Sequence, residues 1–291
     1  QVAALDTTQV SSLETADLAA LGTAQINALG TAGLVALSTD QIAALTSVQV
    51  SRLTNAQVTA MTSDQLNAME AVDLRALGTA QLNAIGTANF ESLSTGQIAN
   101  LTSASLRGLD NAHVAALTTE QLSAISTANI QTLTSTQIQA LDTEQISSLG
   151  TAQIAALQTA QLRMFANEDI AALHTDQIIA LTTAQMSAFT STQLGQLSSD
   201  QIGALETQDL RALTAAQLVG LSTDAVNNLS TEQLSAMTNA QLSGLTTAQI
   251  SSLSTEAIEA LSTAQMAAFG TAALQAFTTD QIVALETQDL A

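Results

Sequence analysis

The sequence predicts an all-α solenoid, a superhelix of very short helices with one helix in each eight-residue repeat. A large apolar residue stands at every eighth position from Leu5 to Leu285, and another follows each of these five places later, from Val10 to Leu290. Each series has 36 members and no polar interruption. The residues between them carry the signals of a helix N-terminus in a fixed register. We therefore predict a single uninterrupted array of 36 octads over residues 1–291.

The helix start is predicted from four positions of the octad, whose residues we label a to h so that Leu37 is a and Ala44 is h. Position b is Ser, Thr, Asp or Gly in 29 of 36 octads, and these residues are favoured as N-caps. Position e is Gln in 23 octads, which gives a capping box with b, while a and f are spaced as a hydrophobic staple. Because c is Thr, Ser or Asn in 34 octads, a cap at c in some octads remains possible.

The charged residues follow the same register. Of the 25 acidic residues, 23 lie at b, d or e, in the first turn of the predicted helices. The five basic residues all lie at g or h, in the last turn: Arg52, Arg75, Arg107, Arg163 and Arg211. This distribution complements the helix dipole and supports the predicted helix boundaries.

Two other architectures compete with short helices. A continuous helix is disfavoured because eight residues leave a drift of roughly 80° per octad, which would carry the apolar stripe around the helix. A β-solenoid with a Thr ladder at c remains the alternative, although a and f would point to opposite faces of a strand and Ala and Gln are poor strand residues. The octad period does not fix the number of octads in one coil.

The predicted core consists of the a and f residues. A helix of about two turns is far shorter than the ~12–15 residues needed for stability alone, so it must pack on other octads. The small residues at h, mostly Ala, allow close approach. Representative core and assembly residues are Leu37, Ile42, Leu141, Ile146, Leu181, Leu245 and Ile250.

Composition excludes several classes of function. The net charge of −20 disfavours nucleic acid and anionic membranes as partners. Without Cys there is no disulfide or thiolate metal site, and no apolar segment is long enough for membrane insertion. No nucleophile is placed beside a base, and no phosphate-binding loop is present. We expect a protein that is not an enzyme and has no cofactor.

Two sets of exceptions carry potential ligands. Four octads have Glu at b and Asp at e, and these carboxylate pairs are Ca²⁺ candidates, although we favour alternative caps with first-turn acids. The pairs are Glu14 with Asp17, Glu70 with Asp73, Glu206 with Asp209, and Glu286 with Asp289. His113 at e and His174 at b are expected to face outward as ordinary surface substitutions, and no metal is expected there.

Octads such as Leu181–Ala188 and Leu245–Ser252 resemble the short-repeat tracts of large bacterial secreted or surface proteins of the adhesin-like type. The resemblance implies an extracellular or cell-surface structural role. We predict a stalk, spacer or self-assembling filament whose partner is a second copy, bound head-to-tail or laterally. The chain begins and ends within an octad, so we expect a fragment or a subunit whose ends are covered.

The alternative function is an extended binding surface for ice or a polysaccharide, presented by the Thr residues at c. This function requires the c hydroxyl groups to be free. We expect capping of the helices to use them instead.

Overall fold

One short α-helix lies in every octad from Leu5 to Ala284 of the computed structural model, which describes residues 1–285. Besides the α-helices, these residues contain a 3-10 helix at Val2–Ala4 and no β-strand. The predicted all-α solenoid of one short helix per octad is therefore confirmed. The β-solenoid alternative is wrong for the described residues.

The chain divides into two compact units, of which the first is Gln1–Leu149. It contains α1 Thr7–Ser11, α2 Thr15–Ala20, α3 Thr23–Ala28, α4 Gly30–Ala36, α5 Thr39–Ala43, α6 Ser47–Val50, α7 Asn55–Ala60, α8 Ser63–Ala68, α9 Ala71–Leu74, α10 Thr79–Leu82, α11 Thr87–Glu91, α12 Thr95–Ala99, α13 Ser103–Gly108, α14 Asn111–Ala115, α15 Thr119–Ser123, α16 Thr127–Ile130, α17 Ser135–Ile138 and α18 Thr143–Ser147.

The second unit is Gly150–Ala291. Its described helices are α19 Thr151–Ala156, α20 Thr159–Leu162, α21 Asn167–Ala172, α22 Thr175–Ile179, α23 Thr183–Met186, α24 Ser191–Leu194, α25 Ser199–Gly203, α26 Thr207–Ala212, α27 Ala215–Leu218, α28 Thr223–Asn227, α29 Thr231–Ala236, α30 Asn239–Ser243, α31 Thr247–Ser252, α32 Thr255–Glu259, α33 Thr263–Met266, α34 Thr271–Leu274 and α35 Thr279–Ala284. The single array of 36 octads stays a prediction, because its last octad lies outside the described residues.

The helices begin where the capping signals place them. In α5, Ser38 is an extended N-cap whose Oγ accepts from the Gln41 amide at 3.3 Å, while Gln41 Oε1 accepts from the Ser38 amide at 2.8 Å. Every described α-helix except α4 has its N-cap at b, so the possibility of caps at c is wrong for these residues. In α4 the helix begins at Gly30 itself, whose φ of +65° is favourable only for glycine.

The kink between octads arises at a. Leu37 is extended, with φ −68° and ψ 137°, and it ends α4. At the equivalent position in the next octad, the Leu45 amide donates to the Ile42 carbonyl at 3.1 Å, closing the last turn of α5. Two extended residues, a and b, therefore separate α4 from α5 and turn the chain, whereas a single helical residue, Leu29, separates α3 from α4.

Within each unit, helices stack on helices three octads away. The pairs α1 with α4 and α5 with α8 illustrate this in the first unit, and α25 with α28 and α32 with α35 in the second. Side-chain hydrogen bonds repeatedly connect residues 28 positions apart. One coil of each solenoid therefore contains about 28 residues, or about three and a half octads.

The core of each unit is made by a and f, as the apolar pattern predicts. All seven representative core residues are buried: Leu37, Ile42, Leu141, Ile146, Leu181, Leu245 and Ile250. Position h is mostly half-buried, and there the coils come close together. At Gly220 an added Cβ would overlap the backbone carbonyl of Ser191 in the preceding coil, so any side chain at this h position would force the backbone apart.

Candidate functional site

The side chains at e, together with the carbonyl groups they reach in the preceding coil, form what we call the inter-coil seam. Gln49 is typical and is 2% exposed. Its Nε2 donates to the carbonyls of Leu18 at 2.8 Å and Leu21 at 2.7 Å, one coil back. Its Oε1 accepts from the Thr46 amide at 2.8 Å. One side chain thus caps the start of its own helix and the end of a helix in the neighbouring coil.

The same bonds recur along both units, from an e side chain to the a carbonyl 28 residues earlier and often to the f carbonyl 31 residues earlier. The carbonyls at the end of a helix have no partner within that helix, and burial makes an unpaired carbonyl costly. Glutamine suits e because it is long enough and carries both a donor and an acceptor. Gln residues that donate to the carbonyl 28 residues earlier include Gln41, Gln65, Gln81, Gln97, Gln121, Gln137, Gln145, Gln185, Gln193, Gln201, Gln233, Gln241, Gln249, Gln265 and Gln281.

The octad pattern predicted only half of this arrangement. The spacing of b and e indicated the capping box, but the inter-coil bond was missed and e was treated as an outward polar position. The available signal was the excess of Gln over Glu at e, since both residues complete a capping box but only Gln can donate to a carbonyl.

The proposed carboxylate pairs do not converge on a shared ligand site. Asp73 and Asp209 are buried in the seam, and each accepts a hydrogen bond from a c hydroxyl of the preceding coil, Ser47 and Thr183 respectively. Asp17 is exposed. Within residues 1–285 there is no group of three or more His, Asp or Glu side chains that could hold a metal ion.

In the three described pairs the glutamates are exposed, and our favoured interpretation of them as alternative caps is wrong there. No side-chain cap hydrogen bond is made by Glu14, Glu70 or Glu206. Glu206 instead accepts from Gln208 Nε2 at 2.6 Å. Glu286 and Asp289, the fourth pair, lie outside the described residues.

The two histidines have different environments. His174 is exposed, as expected, but the expectation that His113 faces outward is wrong, because His113 is 4% exposed and lies in the seam. Its Nδ1 is 2.6 Å from Asp110 Oδ1, and its Nε2 is 2.6 Å from the Ile85 carbonyl oxygen. The hydrogen bond from His113 holds the pKa of the Asp110 carboxyl below its ordinary value and outweighs the opposing effect of burial.

The hydroxyl groups at c are not used as N-caps, which contradicts our expectation. The capping oxygen is at b, as for Thr182 in α23 and Ser198 in α25. The c residues are exposed or half-buried at the first position of their helices. Some of them donate to an e side chain of the next coil, as Ser103 does to Asn129 Oδ1 at 2.7 Å.

The acidic residues at d form exposed rows that the sequence analysis missed. Every acidic residue at d lies 24 residues from another one. Within each unit, this spacing places them on stacked helices. The rows within the second unit are Asp176, Asp200 and Asp224, and Glu232, Glu256 and Asp280. A hydrogen bond from its own backbone amide lowers the pKa of Glu256, which favours the charged form at this helix start. A search for periods longer than eight among the acidic residues would have found these rows.

Shallow polar grooves run between the coils. One of about 310 Å³ is lined by residues that include Glu91, Thr118, Asp142 and Glu144, and another of about 490 Å³ includes Glu206, Ser230 and Glu232. Their linings combine seam residues with exposed acids. None of the helices in residues 1–285 has the length and apolar character of a membrane span.

These features define a helical repeat protein in which, within each unit, a buried polar seam joins neighbouring coils. The ALTTAQ repeat family matches the chain eight times, at residues 10–47, 66–103, 114–151, 123–159, 147–183, 170–207, 202–239 and 235–271. Since these matches cover more than half of the sequence, the chain belongs to the ALTTAQ repeat family. The six residues of that name correspond to positions h to e, as in Ala180–Gln185. No curated protein matches the chain.

Proposed function

We propose that this repeat protein is structural and serves as an extracellular or cell-surface stalk, spacer or self-assembling filament. The observation that carries the proposal is the inter-coil seam, whose bonds recur from coil to coil. An array of this kind distributes its stability over many equivalent contacts between coils. Its length is set by the number of its octads. We further propose that it is not an enzyme, because the hydroxyl groups that meet a carboxylate in the seam, Ser47 at Asp73 and Thr183 at Asp209, serve as hydrogen-bond donors between coils.

Self-association follows from the polarity of the seam. One side of a coil presents amide donors at e, and the other side presents the a and f carbonyls that accept from them. The same two sides recur in each coil, so the donor side of one copy is complementary to the acceptor side of another. Head-to-tail contacts of this kind build open filaments. The proposed partner is therefore a second copy, with no role for nucleic acid or membrane insertion.

An extracellular location is supported by the resemblance of the octads to repeat tracts of bacterial surface proteins. Antibodies raised against the purified chain are expected to label intact source cells. Labelling only after the cells are permeabilised would contradict this location.

Electron microscopy tests the structural role. The chain and a variant carrying three additional copies of Leu141–Ser148 in tandem should both appear as rods or filaments, with the variant protomer longer by a fixed increment. Ile146→Asp, which places a charge in the core, is the matched control that should shorten or abolish the rods. Particles that do not elongate with added octads, or that bind a small molecule in a pocket, would contradict a spacer function.

A binding surface for ice or polysaccharide is the second candidate, and one observation favours it: capping at b leaves the c side chains outside the helix caps. In the second unit, Thr231, Thr255 and Thr279 occupy c on the stacked helices α29, α32 and α35. The acidic row at d stands directly beside them in the sequence, and its charges disfavour an ice-like surface. We therefore place this candidate second.

Thermal hysteresis and glycan-array measurements distinguish the two functions. If the Thr face binds ice or a glycan, the triple variant Thr231→Tyr, Thr255→Tyr and Thr279→Tyr should lose the activity while keeping its helical circular dichroism. A structural protein shows no such activity before or after the substitution.

A further inference from the structure

The f, g and a carbonyls of the preceding coil surround the Nε2 atom of a seam Gln, and we call this group the carbonyl cradle. Gln41 makes all three contacts, and its Nε2 lies 2.7 Å from the Leu13 oxygen. The oxygens of Ser11 and Val10 lie 3.2 and 3.4 Å from the same nitrogen. Carbonyls at the end of a helix carry partial negative charge and require a positively polarised partner. At Gln41 the carboxamide N–H groups are that partner.

Two octads place a carboxylate against the cradle instead of a carboxamide. Asp73 and Asp209 occupy e and are 6% and 3% exposed. Ser47 Oγ donates to Asp73 Oδ1 at 2.5 Å. Thr183 Oγ1 donates to Asp209 Oδ1 at 2.6 Å. Each hydroxyl group stands two residues after the a carbonyl of the cradle, so both carboxylates are directed toward the preceding coil.

The groups around each of these aspartates are oxygen atoms. The register of the seam gives the following carbonyls: Ile42, Ala43 and Leu45 beside Asp73, and Ile178, Ile179 and Leu181 beside Asp209. Within residues 1–285, no side chain donates to the Leu45 or Leu181 carbonyl, and no group donates to Oδ2 of either aspartate. A carboxylate, three carbonyls and a hydroxyl group therefore meet where other octads have an N–H donor.

We propose that Asp73 and Asp209, each with its carbonyl cradle and hydroxyl group, bind one monovalent metal cation, Na⁺ or K⁺. Hard cations take oxygen ligands, and backbone carbonyls can replace their hydration shell. The ion lies between the carboxylate and the cradle, where Nε2 lies in the octads that have Gln at e. It joins the two coils as the carboxamide does there.

The number of charges and the length of the side chain both favour a monovalent ion. One carboxylate lies at each cradle, and it balances a single positive charge. A Ca²⁺ site takes 6–8 oxygen ligands and usually more than one carboxylate. Aspartate is also one methylene shorter than Gln, so its carboxylate stands back from the carbonyls and an ion can lie between them.

The neighbouring residue at b supports the proposal. Glu70 and Glu206 stand three residues before Asp73 and Asp209, and both are exposed. Their charges make the potential near the cradle more negative, which favours a cation. Asp169 lacks this arrangement, because Ala166 stands at b and its amide donates to Asp169 Oδ2 at 2.8 Å.

Anomalous scattering from Rb⁺, which replaces K⁺, tests the sites directly. In crystals of the full chain grown in RbCl, we expect one peak between Asp73 and the Leu45 carbonyl. A second peak is expected between Asp209 and the Leu181 carbonyl. The absence of both peaks, or peaks confined to the exposed acidic rows at d, would overturn the proposal.

Thermal unfolding at constant ionic strength provides the second test. Replacing tetramethylammonium chloride with NaCl or KCl, at about ten times the Kd of the ion, should raise the melting temperature by roughly 2–4 °C. The double variant Asp73→Gln and Asp209→Gln supplies the usual carboxamides and should lose this rise.

The matched control is the double variant Asp64→Gln and Asp200→Gln. It removes the same two charges from exposed d positions, so it should keep the rise in melting temperature. An equal rise in both double variants would refute the cation sites. A rise with CaCl₂ but not with NaCl or KCl would contradict the assignment to a monovalent ion.

Discussion

Replacing Gln49 with Ala removes the side-chain hydrogen bonds that Gln49 contributes to the inter-coil seam. The lost Nε2 bonds to the Leu18 and Leu21 carbonyls are worth about 1 kcal/mol each, and the lost capping acceptor for Thr46 is worth a similar amount. The one buried methylene group that Ala lacks contributes about 0.8 kcal/mol, and the entropy regained by freeing the side chain offsets about 1.5–2 kcal/mol. We expect a loss of about 2 kcal/mol in the free energy of unfolding.

Urea unfolding followed by helical circular dichroism measures this loss, and Gln9→Ala is the matched control. Gln9 is exposed, and its Oε1 accepts from the Asp6 amide at 2.9 Å, so only the capping-box contribution of about 0.5–1 kcal/mol is at risk. Gln49→Glu keeps the shape and the acceptor but not the donor, and it should lose at least as much as Gln49→Ala. Equal losses at Gln9 and Gln49 would refute the seam.

Three further outcomes are expected. Ala257→Gln should restore a seam joint and raise the free energy of unfolding by about 1 kcal/mol, and a decrease would show that the site has no room. Gly220→Ala should lower the melting temperature by several degrees, whereas Gly270→Ala, with nothing within 4 Å of an added Cβ, should not. Deleting residues 141–148 keeps the octad phase and should preserve helical circular dichroism better than deleting residues 141–144; equal tolerance would contradict the octad as the unit.

The fold could be predicted because its determinants repeat within one octad. The N-cap at b, the capping box with e and the staple of a with f all act over six residues or fewer, so a local pattern contains them. The coil of about 28 residues could not be predicted, because it depends on the kink made by two extended residues and on how helices three octads apart pack.

The seam was only partly predictable for the same reason. The Oε1 of Gln49 acts within its own octad, and the pattern indicated it, but its Nε2 acts across a whole coil. His113 looked like a surface substitution because nothing in its own octad reveals the Ile85 carbonyl that it meets. The expectation for c was wrong because residue frequency is a poor guide to the cap position. Thr is nearly as frequent at c as capping residues are at b, but the backbone geometry places the cap at b.

The half-integral number of octads in a coil has a consequence for how the chain finds its register during folding. Within each unit, helices stack on helices three octads away, while a Gln side chain at e reaches the end of the helix four octads back, so adjacent coils are staggered by about half an octad. Because the octads are so alike, a coil that slips by one octad meets nearly equivalent partners. Irregular octads reduce this degeneracy, since Asn83 bonds to the octad of His113 and Gly220 lies against the Ser191 backbone, contacts that ordinary octads do not make. These irregular octads therefore favour one register among many of similar energy.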